Sequence, residues 1–346
     1  MIDLHALPGG ANGDAHSGSC SGKAELWGKK KNLELTKKVL HAIASEVRNG
    51  MGGVVGIQVV NESVYDAPHM YDFYEQAIGV IGNVDQSIPV YISDAWDLGK
   101  ALSWTNGRRG GPRNPVVVDT HKYYTFDEKD RSRAPQEIIG QIGGELGELD
   151  GKEGSLADRG EAQLVIGEWS CVLDGRTWGR VQPQEKDGLV TQFGRAQSQK
   201  WQQKAGGSYF WTYKMDWMDG GEWGFAEQTK KGNIPPPPYL TLPSQEVRNR
   251  IQAANDRRGE LGNSAKQGHE GYWNHTSPGQ QFEHWRFGQG WDTGYSDAMK
   301  FFGARVDGAL GDRVQEGGDK IGCLDIWVKK RLFESGQGGK FVWEWE

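Results

Sequence analysis

The chain has 346 residues, with 40 Lys and Arg against 46 Asp and Glu, a formal net charge of −6. That length suits one large domain or two ordinary ones, and an acidic balance with no basic face argues against nucleic acid as a partner. No apolar run approaches the ~20 residues of a membrane helix, so no membrane partner is expected; three cysteines, Cys20, Cys171 and Cys323, allow one bridge at most.

The chain opens on Ile2-Asp3-Leu4, which reads as a short strand running into His5 and a glycine-rich loop, Pro8 to Gly22. Lys23 to Asn49 places Leu26, Leu33, Val39, Leu40, Ile43 and Val47 at helical spacing. Val54 to Val60 is a buried-type strand ending in Asn61-Glu62-Ser63, and Ala67 to Gly82 is helical again. Ile88 to Ser93 is a strand ending in Asp94-Ala95-Trp96. Pro115 to Asp119 ends in Thr120-His121-Lys122-Tyr123-Tyr124. A helix over 134–149 leads to the strand Leu164 to Gly167, which ends in Glu168-Trp169-Ser170. A helix over 188–204 leads to a sixth strand, Ser208 to Thr212, which carries Trp211.

Six buried-type strands alternating with helices predict βα units and a parallel sheet. Polar and aromatic residues gather at the carboxyl end of each strand, where a (β/α)8 barrel keeps its active site. An open doubly wound sheet is the alternative, weakened because no Gly-x-Gly-x-x-Gly follows the first strand. The character changes at the run Pro235 to Pro238, which favours an extended segment. Beyond it, Gln245 to Arg258, Gln281 to Phe302 and Asp325 to Phe333 read as helices. The expected organisation is a catalytic barrel over 1–239. Residues 240–346 then form its last helix and a helical elaboration packed on the barrel.

Two strand-end glutamates, Glu62 and Glu168, are predicted to share one cavity. A single strand-end Glu is more often a cap or an ion-pair member. A pair flanked by His5, His121, Tyr123 and Trp211 fits glycoside cleavage, in which one carboxyl donates a proton and the other attacks the anomeric carbon or activates water. His5 and His16 lack the acidic or cysteine cluster that would complete a metal site. Neither a metal nor a cofactor is expected. Trp96, Trp217 and Trp223 are candidate rim residues for stacking on sugars.

These residues resemble glycoside hydrolase family 5. Asp3 to Gly18, in DLHALPGGANG and the residues after it, is similar to the signature of fungal exo-β-1,3-glucanases. The tail HWRFGQGWDTGYSDAMKFF resembles the intracellular-type glucan 1,3-β-glucosidase branch. The resemblance implies a TIM barrel in which this chain begins at strand three, an amino-terminal truncation that would leave out strands one and two and the family's second-strand arginine. It makes Glu62 in IQVVNES the acid/base and Glu168 in VIGEWS the nucleophile. Asn61 matches the residue holding the sugar 2-hydroxyl. His121 and Tyr123 match the pair touching nucleophile and sugar, Trp211 the sugar platform and His5 the third-strand histidine. Trp169, beside the nucleophile, is also expected to contact substrate.

The implied activity is release of glucose from β-1,3-glucan with retention; another β-glucoside, or glucan binding by an impaired remnant, is the alternative. Glu168 is expected to be ionised, held by Tyr123 and His121. Glu62 is expected to be protonated, its pKa raised by Glu168. The sequence as given shows no secretory signal. Low cysteine content and the tail's resemblance point to the cytoplasm, and a secreted or cell-wall location stays open.

Overall fold

The computed structural model describes residues 1–51, 53–108, 114–150, 163–215, 220–308, 327–328, 331–332 and 334–346. Trp217, Cys323 and most of the helix expected over 325–333 lie outside the described residues. Six strands follow in chain order: β1 (Ile2–Asp3), β2 (Ile57–Gln58), β3 (Val90–Ser93), β4 (Val116–Tyr124), β5 (Gln163–Leu173) and β6 (Ser208–Phe210). They form one sheet in sequence order, and every pairing is parallel. Each parallel step needs a crossover. These are supplied by α1 (Lys30–Arg48), α2 (Met70–Gly82), α3 (Leu98–Gly107), α4 (Pro135–Gln141) and α5 (Lys186–Lys204).

The sheet is strongly curled. His5, after β1, stacks on Trp211, after β6, with ring centroids 5.9 Å apart. Yet β1 and β6 do not pair with each other among the described residues. The result is a half-barrel with a helical outer layer. Its outer core joins Val90, Ile92, Val118 and Ile166 of the sheet to Leu40, Phe73, Ile78, Leu102 and Trp201 of the helices. A smaller inner cluster contains Tyr91, Val117 and Val165, one from each central strand. This is the period-two alternation of strands with two buried faces.

Several boundaries differ from the sequence reading. β4 and β5 continue past their expected ends to Tyr124 and Leu173, so their functional side chains project from strands rather than loops. α1 starts at Lys30, after Gly28 turns the chain with φ +77°. The helix expected over 134–149 stops at Gln141 and continues as two 3-10 turns. Its residues include Gly140, Gly143, Gly144 and Gly147, which favour breaking an α-helix. α3 was not anticipated.

Beyond the prolines lie α6 (Ser244–Asp256), α7 (Arg258–Thr276) and α8 (Trp285–Val306). α7 was also unanticipated. It packs closely on α8 where Gly262 meets the Trp291 ring; a Cβ there would lie 3.0 Å from the indole. No helix among the described residues is long and apolar enough to cross a membrane. Cys20 is exposed and Cys171 buried, both as free thiols.

Candidate active site

The site lies at the carboxyl ends of the strands, where crossovers leave the loops free to vary. The pairing of β4 with β5 shifts register between Thr120↔Ile166 and His121↔Glu168, leaving Gly167 as the extra residue. A bulge re-aims the side chain beside it. Here it turns Glu168 toward His121. Gly167 is required sterically, because a Cβ would lie 1.8 Å from Asp119 Oδ1.

Glu62 is held from the other side. Its backbone carbonyl accepts the Asn12 side-chain N–H at 2.9 Å, and Val64 N–H donates to Ala11 O. Glu62 has φ +42°, in the left-handed region, and the loop that Asn12 anchors fixes it there.

Between the two glutamates stands His121. Its Nδ1 lies 2.8 Å from Glu62 Oε1 and 3.7 Å from Glu168 Oε2. Its Nε2 lies 3.3 Å from Asp119 Oδ2, which also accepts from Gln58 Nε2. Tyr123 O–H donates to Glu168 Oε2 at 2.7 Å. One atom each of Glu62, His121 and Glu168 lies within 4.8 Å of the others. Asn61 is buried, with Nδ2 3.5 Å from His5 Nε2, and His5 Nδ1 lies 2.7 Å from Asp3 Oδ2. Trp211, 42% exposed, covers His5 and presents an open indole face.

The structure therefore gathers His5, Asn61, Glu62, His121, Tyr123, Glu168 and Trp211 in one cleft. It does not bring Trp169 there, and this corrects the sequence reading. Neighbouring strand residues face opposite sides. With Glu168 turned inward, Trp169 points to the helical layer, buried and edge-on to Phe210 at 4.9 Å.

Sequence reasoning missed two members of the site. His16 Nε2 lies 3.2 Å from Glu62 Oε2, delivered by the glycine-rich loop. Asp119 orients His121 from within β4. The Asp-x-His spacing in a strand puts both on one face, a signal that was available. Trp96 and Trp223 do stand at the rim, Trp96 edge-on to His121 and Trp223 against Tyr123. Phe126 joins Trp223 there at 6.3 Å.

Electrostatics corrects a second expectation. Burial raises the Glu62 carboxyl, but the His121 hydrogen bond and charge, with His16 behind them, hold it below its ordinary value. Burial pushes Glu168 above its ordinary value; the His121 charge and Tyr123 bond oppose this, and the Glu62 charge adds to it. Both directions are the reverse of those expected. The cause is the position of His121, 0.9 Å closer to Glu62 than to Glu168 (3.7 − 2.8). Burial disfavours charge on His121, yet Asp119, Glu62 and Glu168 together raise it well above 6.5. The three surrounding carboxylates thus favour the charged form of the His121 ring.

The tail supplies the first comparison. Residues 254–346 match the model of the glucan 1,3-beta-glucosidase 3 C-terminal domain. The whole chain is 32% identical to an uncharacterised glycosyl hydrolase of Saccharomyces cerevisiae, covering 63% of that protein. Glucan 1,3-beta-glucosidase 3 of Schizosaccharomyces pombe is 30% identical over 96% of this chain and 64% of its own length. The chain is similar to fungal glucan 1,3-beta-glucosidases. A probable glucan 1,3-beta-glucosidase A of Aspergillus clavatus is more distant, at 28% identity over 69% of this chain and 61% of its own. The chain spans a little under two thirds of the length of these relatives.

Proposed function

We propose that this chain carries the active site of a retaining glycosidase that releases glucose from β-1,3-glucan, built like family 5. The observation that carries the reading is the facing pair Glu62 and Glu168 with His121 between them, all within 4.8 Å. Retaining enzymes hold their carboxyls about 5–5.5 Å apart; inverting ones leave about 6.5–9.5 Å for a water. The six strands correspond in this reading to strands three to eight of a (β/α)8 barrel, with residues 240–346 as its last helix and a helical elaboration.

In the first step Glu168 attacks the anomeric carbon while Glu62 gives its proton to the glycosidic oxygen. The bond to the leaving sugar breaks and a glucosyl ester forms. Glu62, now ionised, takes a proton from water, which attacks the same carbon; the ester breaks and Glu168 regains its charge. Tyr123 O–H follows the Glu168 oxygen and stabilises that charge as it returns. Asn61 is placed to hold the 2-hydroxyl, and Trp211 to carry the sugar ring.

The charge arithmetic of Glu62, His121 and Glu168 supports a one-proton cycle. With His121 as imidazolium and both glutamates ionised, the trio sums to −1. One added proton gives the reacting state, and it must sit on Glu62. In the substrate-free cleft burial favours Glu168 as its holder. A bound sugar that donates its 2-hydroxyl to Glu168 favours the charged form there and sends the proton to Glu62. The same pKa directions support a second reading, in which Glu168 is the acid and Glu62 the nucleophile.

The reading is tested by incubating the chain with laminari-oligosaccharides and following the product anomer by NMR, with Glu168→Gln as control. Initial release of β-glucose, lost in the control, is expected. Initial α-glucose, or equal turnover by the control, would overturn it.

A further inference from the structure

Away from the cleft, three segments of the tail converge on one buried carboxylate. The Glu344 side chain has no solvent exposure. Its Oε2 lies 2.7 Å from His284 Nδ1 and 3.2 Å from His269 Nε2, and its Oε1 accepts the Glu283 backbone N–H at 2.7 Å. His269 belongs to α7, and its ring stacks on Phe287 of α8 at 4.2 Å. His284 stands immediately before α8, with Nε2 3.5 Å from Asn274 Oδ1.

Two imidazole nitrogens and one carboxylate oxygen are the ligand types zinc takes. Bonds of about 2.0–2.2 Å at tetrahedral angles separate ligand atoms by about 3.3 Å. The 3.2 Å from His269 Nε2 to Glu344 Oε2 matches that separation, and the 2.7 Å from His284 Nδ1 must open by about 0.6 Å to admit an ion. With Nε2 facing Asn274 Oδ1 at 3.5 Å, the His284 ring directs Nδ1 at the Glu344 carboxylate. The outer groups also follow the pattern of metal sites, in which ligands are oriented by second partners: Phe287 fixes the His269 ring and Glu283 N–H holds the Glu344 carboxylate.

We propose that His269, His284 and Glu344 form a divalent transition-metal site, with zinc the best-matched ion and water in the fourth position. Calcium and magnesium prefer all-oxygen shells and are excluded by the two imidazoles. The site ties α7, the turn entering α8 and the carboxyl-terminal segment to one point. Its expected role is to staple the tail, with no part in bond cleavage.

The test is a cobalt(II) titration of the chelator-treated full chain, read by visible absorption. The same titration is run on His121→Asn, which breaks the cluster in the cleft, and on His269→Asn, His284→Asn and Glu344→Gln. The expected result is one equivalent bound by the parent chain and by His121→Asn. The three tail variants should each bind at least 10-fold more weakly. Zinc should raise the melting temperature of the parent and of His121→Asn, and a chelator should reverse this. No binding by the parent, or tail variants that bind like it, would overturn the site. Should the tail variants fail to fold, X-ray absorption on zinc-loaded His121→Asn decides: two imidazoles per zinc support the site, and fewer overturn it.

Discussion

Tyr123→Phe removes one hydroxyl and nothing else from the cleft. That hydroxyl donates to Glu168 Oε2 at 2.7 Å, and Glu168 is largely buried. A hydrogen bond to a charged, desolvated group contributes about 1.5–3 kcal/mol, and each ~1.36 kcal/mol is a factor of ten in rate. The expected loss in kcat/KM is therefore about 10- to 150-fold, with the fold intact. The pH profile carries a second signature. The hydroxyl favours the ionised form of Glu168, and burial already holds its pKa above the ordinary value. Removing the donor raises it further. Attack needs the ionised carboxylate, so the acidic limb of kcat/KM moves to higher pH. Initial rates on an aryl β-glucoside across pH 4–8 (roughly the range where a shifted carboxylate titrates) measure both effects. A variant within two-fold of the parent, about 0.4 kcal/mol, with its acidic limb unmoved, would refute the role given to Tyr123.

Gly167→Ala drives a methyl into the Asp119 carboxylate, 1.8 Å from Oδ1. It should cost about 1–3 kcal/mol of stability and lower kcat through the displaced His121, seen as a reduced melting temperature and slower turnover. Nitrogen-15 NMR of labelled histidine should find His121 still doubly protonated well above pH 6.5; titration at or below that value would contradict its place among three carboxylates. Trp211→Ala strips the exposed indole face and should raise KM about 3- to 10-fold with a smaller change in kcat, measured on laminaribiose.

The strands of the half-barrel were legible because each is a short β-branched run with two buried faces, and that pattern survives without context. The glutamates were legible because they follow such runs. The tail helix α7 was hidden by Gly259, Gly262, Gly268 and Gly271, residues of poor helix propensity whose cost is offset by tertiary packing, as where Trp291 lies against Gly262. Trp169 was misplaced because β5 was expected to end before it. A continuing strand alternates its faces, and this one sends Trp169 to the core. The proton balance of the cleft was beyond the sequence. It depends on which of two carboxylates His121 leans toward, a difference of under an ångström set by tertiary packing.

Trapping the covalent intermediate tests directly whether Glu168 is the nucleophile and Glu62 the acid/base. An activated 2-deoxy-2-fluoro-β-glucoside slows the second step more than the first and traps the glucosyl ester, which peptide mass spectrometry can locate. The label should fall on Glu168, with rapid loss of activity that laminaribiose protects against. A label on Glu62 would exchange the two roles in line with the pKa directions of the empty cleft, and steady turnover with no label on either would contradict double displacement altogether.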